Sequence, residues 1–102
     1  MKTDLKKLRD YKMLWSNLKP RDIKGYRVIF EELPDVEFFV HHENEYTSFW
    51  NLSEKKTGMS IPGITAMTAK EAMTQGYEII KERGIDRLRE VIKQMIEQHG
   101  EL

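Results

Sequence analysis

VEFFVHHENEYTSFWNLS, residues 36–53, decides the fold. Two runs rich in β-branched and aromatic residues, VEFFVHH and YTSFWNLS, flank a short polar ENE, the pattern of two antiparallel strands joined by a tight connection. The same stretch sets His41 and His42 beside Glu43 and Glu45, so a metal or acid/base site has to be weighed against the polar end of a hairpin. Successive strand side chains point to opposite faces, and two adjacent imidazoles therefore diverge. A zinc site wants three or four convergent ligands, and the remaining histidine, His99, stands near the C-terminus. A His41, Glu43, Glu45 set stays open if the strand runs on through the turn. The reading adopted is the hairpin end, with no metal and no cofactor.

Working outward, YRVIFEEL (26–33) after Gly25 reads as a preceding strand, and LPD turns the chain into VEFFVHH. Downstream, EKKTG supplies a turn and MSI (59–61) a short fourth strand before Pro62 and Gly63. The result is an antiparallel meander of three or four strands. Residues 4–18 read as a helix capped by Thr3, with Leu8, Tyr11, Leu14, Trp15 and Leu18 on one side and Lys6, Arg9, Lys12 and Lys19 on the other. Pro20 ends it, because proline disfavours helical geometry in the residue before it.

The C-terminal part carries the sharpest local signals. Thr68 and Glu71 in TAKE form a capping box, each side chain answering an orphan N–H at a helix start. Ala69, Ala72, Met73, Gly76, Tyr77, Ile79 and Ile80 then fall on one arc. Gly84 stops that helix in a left-handed conformation. Asp86 caps a second one, whose Leu88, Val91, Ile92, Met95 and Ile96 form a stripe. Both helices need a shared apolar surface, which one face of the meander offers through Val28, Phe30, Val36, Phe38, Val40, Trp50 and Leu52. The opposite face collects Arg27, Ile29, Glu37, Phe39, His41, Thr47, Phe49 and Asn51. Its apolar members call for a cover. The first helix can supply it by burying Leu8, Leu14 and Trp15 against Phe39 and Phe49; a second copy or a foreign partner are the alternatives.

A chain of 102 residues with 33% charged and 39% hydrophobic residues fits one α+β domain spanning 1–102. No apolar run reaches the roughly 18 residues of a membrane span and no signal-peptide pattern opens the chain, so a cytoplasmic protein is expected. Without cysteine, disulfides, thiol nucleophiles and Cys-rich zinc sites are excluded. Zero net charge conceals an uneven spread: residues 1–27 hold nine Lys/Arg against three Asp/Glu, and residues 28–62 hold two against seven. Such halves can pair internally, meet across a dimer, or leave the basic head to an anionic partner.

Three resemblances follow from these motifs. FWNLSEKKTGMSI (49–61) followed by TAKEAM resembles the strand-turn-strand-helix passage of small accessory proteins of phages and mobile elements. PGITAMTAKEAMTQGYEII (62–80) resembles the Pro-Gly to Thr-x-x-Glu-Ala passage of HicB-type antitoxins. The order helix, three strands, helix is similar to a double-stranded-RNA-binding domain, although such domains open their last helix with a phosphate-gripping lysine cluster. Here Lys70 stands alone beside Glu71.

No Gly-rich phosphate loop is present, GMSIPG lacks the lysine and spacing of a P-loop, and no nucleophile arrangement can be argued. The expected function is a non-enzymatic binding protein, an accessory factor of the phage or mobile-element kind acting through protein contacts. Its candidate partner or homodimer surface is Arg27, Ile29, Phe39, His41, Phe49 and Asn51. The alternative is a nucleic-acid-binding module using Lys6, Arg9, Lys12, Lys19, Arg21 and Lys24 on the basic head; zero net charge weakens it, because such binding rests on excess positive charge.

Overall fold

A computed structural model of the chain describes residues 2–14, 19–43 and 46–102. It is α+β. Strands β1 (Lys2–Leu14), β2 (Pro20–Ile29), β3 (Phe38–His42) and β4 (Trp50–Glu54) precede helices α1 (Ala69–Arg83) and α2 (Ile85–His99). The strands form one antiparallel sheet in the order β1-β2-β3-β4, an antiparallel meander in which β2, β3 and β4 overlap the expected strands and β1 is an added edge strand.

The N-terminal element is a correction. The segment expected as a helix over 4–18 is strand from Lys2 to Leu14; Trp15 and Leu18 lie outside the described residues, as do Asn44 and Glu45 of the ENE connection. The deciding contacts are nonlocal. Tyr11 and Met13 are buried while Asp10 and Lys12 are exposed, a period of two that matches a pleated strand. Asp10 sits opposite Lys24, and Lys12 opposite Asp22. Both pairs close as ion pairs, at 2.6 and 3.5 Å. Cross-strand partners of this kind override the good intrinsic helix propensity of Leu, Lys and Arg.

The strand also does what the helix was expected to do. β1 and β2 pair continuously only at their ends, because residues 5–8 bulge opposite Tyr26. Beyond the bulge, the arm made of residues 9–14 and 20–25 crosses the second face of the sheet. Tyr11 lies flat on Phe39, with ring centroids 4.2 Å apart and planes 4° from parallel. At the far end the Leu14 N–H donates to the Gly58 carbonyl, beyond β4. Tyr11, Met13 and Phe39, flanked by Ile23, thus form a small second core. Leu8, assigned to that cover, is instead 49% exposed, and Phe49, expected beneath it, is 40% exposed. Gly25 makes the crossing possible: a Cβ there would stand 2.9 Å from the Val40 carbonyl oxygen and 3.0 Å from the Phe39 ring.

The main core lies on the first face. Val28, Phe38, Val40 and Leu52 are fully buried there, joined by Phe30, Leu33 and Val36 from the loop and by Ala72, Met73, Ile80 and Ile92 from the helices. Thr68 caps α1 as its motif implies, accepting from the Glu71 N–H at 3.1 Å. Gly76 lets α1 settle on β4, since a Cβ would meet Leu52 at 2.6 Å. Gly84 does break the helices, with φ 102° and ψ 127° rather than left-handed helical values. Asp86 sits in the first turn of α2, which has no side-chain cap. The MSI segment contributes a single bridge, Ser53 to Ser60, instead of a strand.

Candidate functional site

Among the described residues, several basic residues of the head are paired with carboxylates of β1 and β2. Arg9 donates to the Asp4 carboxylate at 3.1 Å, Lys12 pairs with Asp22 and Lys24 with Asp10. Lys19 and Arg21 are exposed, and each is engaged in an interaction of its own. Lys6 is exposed and makes no ion pair with a described residue, as is true of Lys2 and Lys7. The carboxylate of Asp4, held low chiefly by its hydrogen bond from Arg9, also accepts from the Lys6 backbone N–H at 3.3 Å. It therefore ties down the bulge that displays Lys6 and Lys7.

The second-face residues separate. Phe39 and His41 are buried to 0% and 1% exposure, one under Tyr11 and the other beneath the bend at Gly25, where a built Cβ comes within 3.4 Å of the His41 Cβ. Arg27 is exposed and reaches Glu37 at 3.6 Å. Glu37 also accepts the Tyr11 hydroxyl at 2.8 Å; burial, then this bond to a carboxylate, push the Tyr11 phenol far above its ordinary range. Ile29 and Asn51 are half-buried, and Phe49 stands at the rim. These residues do not converge on one open surface.

His41 belongs to a buried chain that sequence reading missed. Its Nδ1 lies 2.6 Å from the His42 carbonyl oxygen, and its Nε2 lies 2.7 Å from Ser53 Oγ, which is 2.9 Å from Ser60 Oγ. A carbonyl only accepts, so the proton sits on Nδ1; Nε2 accepts from Ser53, and Ser53 from Ser60. The hydroxyl-imidazole-carbonyl order is that of a nucleophile, its base and an orienting group. However, Ser53 is wholly buried, so no substrate reaches its hydroxyl, and the chain satisfies polar groups that burial would leave unpaired. Among the described residues no group of three His, Cys, Asp or Glu side chains could hold a metal ion, and no helix is long and apolar enough to cross a membrane.

What the fold leaves open is a row running across the sheet beyond the reach of the helices. Bulge residues 5–8 face Tyr26, Tyr26 pairs with Val40, His42 pairs with Trp50, and Trp50 bridges to Ala66. At strand spacing this row is about 19 Å wide. Tyr26 and Trp50 are half-buried with ring centroids 6.4 Å apart, and the exposed His42 ring tilts onto Trp50 at 3.9 Å. Leu5 and Leu8 at the bulge end, and Met67 next to Ala66 at the other, are between 45% and 54% exposed. A signal for the middle of the row was present in the alternation of 26 with 28, 40 with 42 and 50 with 52. Its ends depend on a bulge and a bridge that no local pattern marks.

No protein-family model, curated protein or solved structure matches the chain.

Proposed function

We propose that the protein is a non-enzymatic binding protein acting through protein contacts, and that the transverse row is its contact surface. The carrying observation is the partly open aromatic group of Tyr26, Trp50 and His42, with exposed Leu5 and Leu8 in the bulge that faces Tyr26. Single exposed apolar residues are ordinary, whereas a partly open aromatic cluster beside exposed leucines is the composition of an interface centre. Nucleic-acid binding by the head is the weaker reading, because Arg9, Lys12 and Lys24 already hold carboxylates, and counterion release requires cations that are free to meet phosphate.

Leu8→Asp and Met67→Asp alter exposed positions and should change stability by no more than about 0.5 kcal/mol. The expected result is that nuclease-treated extract of the source cells yields a stoichiometric protein partner to the wild type and not to the doubly substituted chain. Identical capture by both would remove the row from the function.

A further inference from the structure

Resting on that reading, we infer that the partner presents an acidic segment bearing apolar side chains, which docks on the β1 end of the row. The charge pattern there is one-sided. Lys6 and Lys7 project from the bulge without an ion pair to any described residue, while the basic residues Arg9, Lys24 and Arg27 around them are compensated. The carboxylate in the bulge, Asp4, is held by Arg9 and by the Lys6 backbone. Two ammonium groups with no ion pair to a described residue therefore stand beside Leu5 and Leu8, which are 45% and 49% exposed.

Electrostatic complementarity selects partners by sign, and the apolar anchors supply the contact area. Phosphate backbones answer the lysines but leave Leu5 and Leu8 without apolar contacts. A protein segment that alternates carboxylates with aliphatic or aromatic residues answers both. The bulge favours docking through side chains over the addition of a strand, since a bulged edge interrupts the ladder an added strand would extend.

The test is selection of a random displayed-peptide library on the intact chain, followed by fluorescence titration of the recovered peptides. Enrichment of Asp and Glu together with Leu, Phe or Trp is expected. Affinity should fall about tenfold or more in Lys6→Glu/Lys7→Glu, and fall as salt is raised to about 0.3 M. Leu8→Asp should weaken the same peptides. Recovery of no peptide, or of neutral or basic ones, overturns the inference, as does tighter binding of a single-stranded oligonucleotide. So does wild-type self-association that Lys6→Glu/Lys7→Glu abolishes. If Leu8→Asp removes binding while lysine reversal and salt do not, the acidic partner falls and the contact surface stands. If neither set of substitutions matters, both fall.

Discussion

His41 is a histidine whose neutral form is built into the fold. Burial pulls its pKa down from 6.5 to about 4, against the opposing effect of its bond to the His42 carbonyl. Between those values the unfolded chain binds the proton more tightly than the folded one. Stability is therefore full above pH 6.5 and declines as pH falls, by roughly 3 kcal/mol on reaching pH 4. Asp4, Glu32 and Asp35 have depressed pKa values through Arg9, Tyr77 and Arg89, so their contributions are lost at lower pH, and the interval from about pH 6.5 to 5 isolates the imidazole. Denaturant titrations across that interval should show a slope in the wild type and a flatter one in His41→Asn, whose amide can still donate to the carbonyl. Equal slopes would mean that another group carries the effect. Phe39 and Phe49 offer a second contrast at this scale. One is sealed under Tyr11 and the other stands at the rim. Phe39→Ala should cost about 3–5 kcal/mol in a thermal or denaturant melt, and Phe49→Ala only about 0.5 kcal/mol.

At the scale of elements, what could be read in advance is what local chemistry dictates. Thr68 and Glu71 mark the start of α1 because a cap is made within one turn. Val28, Phe38, Val40 and Leu52 reveal the core face because pleating alternates side chains whatever their partners. The need for a cover on the second face was legible too, from Phe39. The nature of that cover was not. Positions 4–14 carry Asp, Lys and Arg in an order that satisfies a helical face as well as a strand, and the partners that decide between them lie far along the chain: Lys24 for Asp10, Glu37 for Tyr11. The candidate site was obscured for the same reason, since pairing of Lys12 and Lys24 and burial of His41 follow from the arm. Gly25 is the joint of this arrangement. Gly25→Ala places a methyl against the Val40 carbonyl oxygen and the Phe39 ring, and backbone cannot step aside as a side-chain end can. A loss of about 1–3 kcal/mol is expected, with near-ultraviolet dichroism of the Tyr11–Phe39 pair diminished; an unchanged melt would show that β2 and β3 have room to separate.

The whole molecule is a sheet between two cores of unequal size. Among the described residues, the larger one joins fourteen buried residues from the sheet, loops and helices, whereas the smaller joins Tyr11, Met13 and Phe39. Both use β3, yet from opposite faces, so losing the arm leaves the first face and its helices in place. Among the described residues, the arm is held to the sheet by the Tyr11–Phe39 stack with Met13 and Ile23 packed beside it, the Tyr11–Glu37 hydrogen bond, and the Leu14–Gly58 hydrogen bond. Its ion pairs to Asp10 and Asp22 are exposed and run within the arm, so they stiffen it without holding it down and contribute little to stability. Local opening follows the smallest set of contacts that can be released together. Hinging at Gly25 and the bulge would lift residues 9–14 and 20–25 as a unit. Native-state hydrogen exchange should accordingly find the amides of the distal arm exchanging through an opening that costs less than global unfolding, while those of Val40 and Leu52 exchange at the global value. Tyr11→Phe, which leaves the stack and removes the bond to Glu37, should lower the arm's opening free energy by about 1 kcal/mol. Val40 and Leu52 should shift by no more than the change in global stability. If arm and sheet amides instead exchange at a single free energy and respond equally to Tyr11→Phe, the two cores unfold as one, and the arm is an inseparable part of the sheet.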